Sequence, residues 1–148
     1  GQCMLPDLDA GLSYVQVAAG TSHTVLLRSD GAAVAAAGGA AVTARPWLVA
    51  QVAAGSKPDH TVLLRSDGAA VACGANRAGQ CSLPAPDVGL SYVQVSAGTS
   101  HTVLLCSDGA AVACGANDYG QCRLPALDAG LSYVQVAAGS YHTVLLRS

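Results

Sequence analysis

The sequence predicts an all-β protein, a β-propeller or partial propeller of about four short antiparallel blades of three to four strands each. Three observations carry that expectation. The histidines stand at 23, 60, 101 and 142, so similar text returns after 37, 41 and 41 residues, and a period near 40 marks an array of like supersecondary units. Asp-Gly pairs at 30–31, 67–68 and 108–109 each separate two apolar runs. Strand-forming residues fill those runs, and Gly, Asn and Pro sit at the joints between them.

A chain of 148 residues suffices for one domain. Its repeats divide it into units of approximately 1–41, 42–78, 79–119 and 120–148, the last incomplete. The apolar share of 51% is mostly Ala and Val, with Trp47 the single tryptophan and no phenylalanine. Each buried position therefore contributes little area, and a thin core of this kind suits repetition. Seven basic and nine acidic residues give a net charge of −2, which offers no electrostatic reason for a nucleic acid or an anionic membrane as partner. The most apolar region, Gly31 to Gly55, is interrupted by Arg45 and Pro46 and lacks the roughly 20 clean apolar residues of a membrane helix. The chain reads as soluble.

Within a unit, Tyr92-Val93-Gln94-Val95 alternates at period two and forms the first strand, ending at Ala97-Gly98. His101 to Ser107 leads into Asp108-Gly109 and then Ala110 to Cys114. This predicts a hairpin with a two-residue turn, both turn positions at positive φ. Gly115 to Gly120 is a turn-rich loop, and Leu124-Pro125 breaks the chain before the next unit. The result is a meander of three strands, or four if the Gly-Gln-Cys segment also pairs. Such a meander cannot bury both faces alone, so units must stack. The hairpin inside each unit gives antiparallel strands and favours a propeller over a β-solenoid.

The first unit departs from the rest. After Gly31 it lacks the Gly-Ala-Asn, Gly-Gln-Cys and Leu-Pro words, and the loop from Gly55 to His60 gains two residues in Ser56-Lys57-Pro58-Asp59. The sequence stops at Arg147-Ser148, ahead of the next expected Asp-Gly. Val144 to Ser148 is then an edge open to pairing. The expectation is a piece of a longer array or a chain that self-associates through its last blade, unless Gly1 to Pro6 folds back to complete it.

Two segments carry a family resemblance. Val112-Ala113-Cys114-Gly115-Ala116-Asn117-Asp118-Tyr119-Gly120-Gln121 and Val136-Ala137-Ala138-Gly139-Ser140-Tyr141-His142-Thr143 resemble the regulator of chromosome condensation repeat. The compact unit is also similar to that of the bacterial β-lactamase inhibitory propeller. Two positions depart from the family: its usual Trp before Gly is Cys73 and Cys114, and its Leu after Gly-Gln is Cys81 and Cys122. The resemblance implies a binding platform whose loops contact protein partners. Among family members these partners include a small GTPase, acted on by nucleotide exchange, chromatin and an inhibited secreted enzyme. Other members are propeller modules of ubiquitin ligases. A cytoplasmic or nuclear setting is expected, an odd exposed thiol arguing for a reducing compartment.

Four histidines could form a metal ring, but each follows Ala-Gly, at the start of a strand, where a ring nitrogen serves to bond loop backbone and fix the bend; no metal and no cofactor is expected. Cys73 and Cys81 are eight apart, as are Cys114 and Cys122. Buried thiols are the first reading, with disulfides within each pair or a metal site as alternatives. Cys106 stands where other units have Arg28, Arg65 and Arg147. Ser, His and Asp recur in every unit, which marks structure rather than a single catalytic centre, so no enzyme is expected. The informative positions are those that differ between units: Lys57, Asp59, Arg77, Asp118, Tyr119, Arg123 and Tyr141. Loop aromatics and arginines anchor interfaces, and these seven are the candidate partner-binding residues.

Overall fold

A computed structural model describes residues 8–36, 48–57 and 59–148. Gly1 to Pro6 lies outside them, as do Cys3 and the stretch through Trp47. The described chain holds eleven strands in four antiparallel sheets. The first comprises β1 (Tyr14–Ala19), β2 (Thr24–Arg28) and β3 (Ala33–Ala36); the second β4 (Val49–Ala54), β5 (His60–Arg65) and β6 (Ala70–Gly74). The third comprises β7 (Tyr92–Ala97), β8 (His101–Cys106) and β9 (Ala111–Gly115), and the fourth β10 (Tyr133–Ala138) and β11 (Thr143–Arg147). Consecutive sheets pack face to face and their first strands β1, β4, β7 and β10 adjoin in succession, the arrangement of propeller blades.

The core lies between sheets. Val25, Leu27 and Ala33 of the first sheet meet Val49, Val52 and Leu63 of the second. Val62 and Leu64 face the other way, onto Tyr92, Val95, Leu104 and Cys106, and Val103 and Leu105 continue the pattern onto Tyr133 and Val136. Middle strands β5 and β8 thus give alternate side chains to opposite seams. That explains why His-Thr-Val-Leu-Leu reads as a continuous apolar run: both of its faces are covered, as in a buried strand of any layered sheet.

The first strands do not alternate as their sequence suggests. Each carries a register shift, as between Tyr92 and Gln94, so an extra residue at Val93 is turned outward and Tyr92 and Val95 both enter the seam. A bulge of this kind inserts one unpaired residue and bends the strand. The hairpin turn also differs from the expected two-residue form. Cys106 pairs with Ala110 through Cys106 N–H to Ala110 O at 2.8 Å, leaving a three-residue loop. Gly109, at φ 85°, takes the left-handed conformation, and the Asp108 carboxylate accepts the Ala110 N–H at 2.9 Å. A turn followed by a glycine bulge suits the Ser-Asp-Gly text better than a two-residue turn.

Three polar ties cross every seam. The carbonyls of turn glycines Gly31, Gly68 and Gly109 accept N–H bonds from Val49, Tyr92 and Tyr133 at 2.8–3.0 Å. Side-chain oxygens of Gln16, Gln51 and Gln94 accept from Val52, Val95 and Val136 at 3.0, 2.9 and 2.9 Å. The third tie uses the histidines, which reach the next sheet: Nε2 of His23, His60 and His101 lies 2.9, 3.1 and 3.1 Å from the hydroxyls of Thr61, Thr102 and Thr143. The Thr102 and Thr143 hydroxyls donate to the Gln80 and Gln121 carbonyls at 2.8 and 2.7 Å. Each hydroxyl therefore accepts from the histidine, whose proton sits on Nε2.

The glycine of each Ala-Gly is set by the same contact. A Cβ on Gly55 or Gly98 would collide with the imidazole of His60 or His101 and fall 2.5 Å from the carbonyl oxygen of Gly98 or Gly139 in the next sheet. Backbones approach too closely there for any side chain.

Candidate functional site

The loop after β9 is held by its own side chains. Asn117 Oδ1 accepts the Cys122 N–H at 3.0 Å, Gln121 Oε1 accepts the Tyr119 N–H at 2.9 Å, and the Cys122 thiol donates to the Ala116 carbonyl at 3.2 Å. Gln121 is buried beneath the loop. With its interior satisfied in this way, the loop turns Tyr119 outward, 75% exposed. On the adjoining sheet the β10–β11 loop, closed by Gly139 N–H to His142 O at 2.9 Å, presents Tyr141 at 57% exposure. The two rings meet with centroids 5.2 Å apart and planes tilted by 53°, a favourable tilted aromatic pair.

Beside them lies a pocket of about 170 Å³ lined by Tyr119, Arg123, Leu124, Tyr141, Thr143 and Leu145, among others. Three of the seven sequence candidates, Tyr119, Arg123 and Tyr141, converge here, and Asp118 is exposed on the same loop. The others lie elsewhere. Arg77 is exposed on the corresponding loop one seam back. The backbone of Lys57 donates to the Thr21 hydroxyl at 3.3 Å. Asp59 is engaged inside the protein, its carboxylate 3.6 Å from His23 Nδ1.

A larger hollow of about 480 Å³ runs along the first strands, lined by Val15, Gln16, Ala50, Gln51, Val93 and Gln94. The sequence offered one signal for it, the Gln repeated in every first strand, and strict alternation hid the outward-facing bulge residues.

Among the described residues no group of three or more His, Cys, Asp or Glu side chains is placed to hold a metal, and no helix is long and apolar enough to cross a membrane. Cys73, Cys81, Cys106, Cys114 and Cys122 are free thiols. Cys106 is buried, but the buried reading does not extend to Cys73, which is exposed. Desolvation, with Cys122 and Cys81 nearby, pushes the Cys114 thiol up to about 11.

Residues 49–80 and 92–121 match the sequence profile of the regulator of chromosome condensation (RCC1) repeat. These two stretches are RCC1 repeats. They span the second and third sheets with the loops that follow. No curated protein matches the sequence. Among solved structures, Prp20p from Saccharomyces cerevisiae, described with its binding to Gsp1p and histones, is similar at 21% identity and a TM-score of 0.75 over 92% of this chain. Yeast RCC1 (Prp20) bound to Kap60 gives 23% and 0.74 over 95%. The ectodomain of the Physcomitrella patens receptor kinase CR4 gives 16% and 0.70 over 93%. The chain spans 42%, 43% and 39% of those three chains. At such identities the likeness establishes the propeller fold alone.

Proposed function

We propose that this chain is a non-catalytic protein-interaction scaffold, with the loops around Tyr119 and Tyr141 as its docking site. One observation carries the reading. Ala78, Ser82 and Ser100 of one seam are replaced, 41 residues on, by Tyr119, Arg123 and Tyr141, and the three replacements gather at one pocket. Tyr and Arg are the residues enriched where interfaces concentrate their binding energy. The scaffold is cytoplasmic or nuclear in this reading, supported by free thiols that include the exposed Cys73. Partners retained by the wild-type chain should be lost by the Y119A/Y141A double variant at unchanged folding stability. Equal retention by that variant would refute the docking site.

A second reading, part of a guanine nucleotide exchange factor for a small GTPase, is favoured by the fold likeness to Prp20p. Accelerated nucleotide release from Gsp1p would support it; an unchanged rate at saturating chain would remove it. Self-association through β11, where Val144 and Leu146 are exposed, belongs to the same scaffold reading. Light scattering showing only single chains at high concentration would end that part.

A further inference from the structure

We infer that the hairpin end of the third sheet, the end away from the tyrosine loops, seats an arginine of a protein partner on Asp108, with Asp87 beside it. This surface lies apart from the docking site above and does not rest on it. The sister copies show what the seat accepts. At the end of β2, Arg28 lays its guanidinium on Asp30, Nε to Oδ1 at 3.2 Å and Nη2 to Oδ2 at 2.7 Å. Arg65 faces Asp67 in the same way at the end of β5. At the end of β11, Arg147 turns to Asp128, 3.7 Å away, the residue 41 places after Asp87. A guanidinium at this strand end thus reaches either the hairpin carboxylate or the one in the turn ahead of the first strand. The third sheet has both carboxylates, and Cys106 stands where the arginine would. Asp108 Oδ1 accepts the Ala110 N–H at 2.9 Å, as Asp30 Oδ1 accepts that of Ala32 and Asp67 Oδ1 that of Ala69, both at 3.1 Å. The carboxylate is therefore aimed as in the copies that hold a guanidinium. The two acidic turns are joined: the Leu90 N–H closes one on the Asp87 carbonyl at 2.9 Å, and the Ser107 N–H, next to Asp108, donates to the Ser91 carbonyl at 2.8 Å. Among the described residues no cation pairs with Asp87 or Asp108, and both are exposed. Cys106 is buried, so the place of the guanidinium is left to solvent. Burial first, then the charges of Asp108 and Asp87, raise its thiol above the ordinary value, in keeping with two carboxylates beside it. Sheets flank the seat on both sides, tied through the Gly68 and Gly109 carbonyls. The planar fork of an arginine matches a carboxylate already fixed through one oxygen, which the point charge of a lysine does not.

The test is an NMR titration of the ¹⁵N-labelled chain with blocked glycine-serine peptides that carry a single arginine, citrulline or lysine. The Ala110 amide, bonded to Asp108, is the probe. The Ala32 amide, bonded to an Asp30 that Arg28 already engages, is the built-in control. The arginine peptide should shift Ala110 and leave Ala32 still, and should do so about tenfold more tightly than the citrulline peptide. Asp108→Asn should abolish the shift, and Cys106→Arg, which restores the sister arrangement, should abolish it too. Arg28→Cys should make Ala32 respond. Asp108 is exposed, so Asp108→Asn keeps the fold and decides the matter even if one of the other variants fails to fold. Equal response to citrulline or to lysine overturns the inference, as does a shift of Ala110 that survives Asp108→Asn or Cys106→Arg. Silence of Ala110 to all three peptides overturns it as well, and none of these outcomes touches the docking site at Tyr119 and Tyr141.

Discussion

Nε2 of His60 lies 3.1 Å from the hydroxyl of Thr102, in the next sheet and 42 residues further along. That hydroxyl passes its own proton to the Gln80 carbonyl, so one buried threonine satisfies two groups from the preceding repeat. Thr102→Val keeps the shape and removes both bonds, leaving the Gln80 carbonyl only the long contact from the Cys114 thiol at 3.8 Å. Each buried unsatisfied group costs about 1–3 kcal/mol, and urea unfolding should show a loss of about 2–4 kcal/mol. A loss below about 0.5 kcal/mol would mean that the tie is decorative.

Glycine at 98 is required by its neighbours, whereas Gly89 is open. Gly98→Ala drives a methyl into the His101 ring and toward the Gly139 carbonyl, an overpacking that costs about 1–3 kcal/mol or more. At Gly89 a methyl meets nothing within 4 Å, and only the positive φ resists it, at about 1 kcal/mol. Thermal unfolding of the two variants should rank them in that order.

Burial lowers the His101 pKa below its ordinary 6.5, and the charge of His142 adds to the effect against a smaller opposing backbone bond. The unfolded chain then binds the proton more readily than the folded one. The contribution of His101 to stability is complete above about pH 6.5 and declines as the pH falls from there through the depressed folded value. Urea midpoints measured from pH 7.5 down to 5 should fall, and the His101 ring should titrate below 6.5 by NMR. A folded-state titration at or above 6.5 contradicts this.

The thiols differ in access and ionisation. With limiting iodoacetamide at neutral pH, Cys73 should be alkylated first among the thiols of the described residues; Cys106, shielded from solvent, and Cys114, whose thiol lies at about 11, should be last. Mass spectrometry of timed quenches reads the order. Early labelling of Cys114 would contradict its protonated state.

Much of the fold was legible because the repeats state it several times. His101 to Cys106 followed by Ser-Asp-Gly announces a hairpin in any single copy, and the spacing of 41 announces stacking. The bulge at Val93 was hidden, since Tyr-Val-Gln-Val satisfies strict alternation on paper and only packing against the previous sheet decides which residues turn inward. The histidine–threonine tie was hidden for a related reason. His60 and Thr102 are 42 residues apart, and no local pattern pairs a ring with a hydroxyl in another unit. At the candidate site, comparing copies picked out Tyr119, Arg123 and Tyr141, whose meeting depends on how one loop faces the next. The same comparison also picked out Asp59, but its carboxylate faces His23, because the two inserted residues bring it there.

The alternation along β5 and β8 bears on how such a protein changes length. Inserting one residue within Thr61 to Leu64 would exchange the side chains sent left and right and spoil two junctions together. Gaining or losing a whole 41-residue module keeps every junction's chemistry intact. Genes encoding arrays of this design are therefore free to grow and shrink by duplication and excision of entire modules, while small insertions are confined to loops such as the one that acquired Lys57.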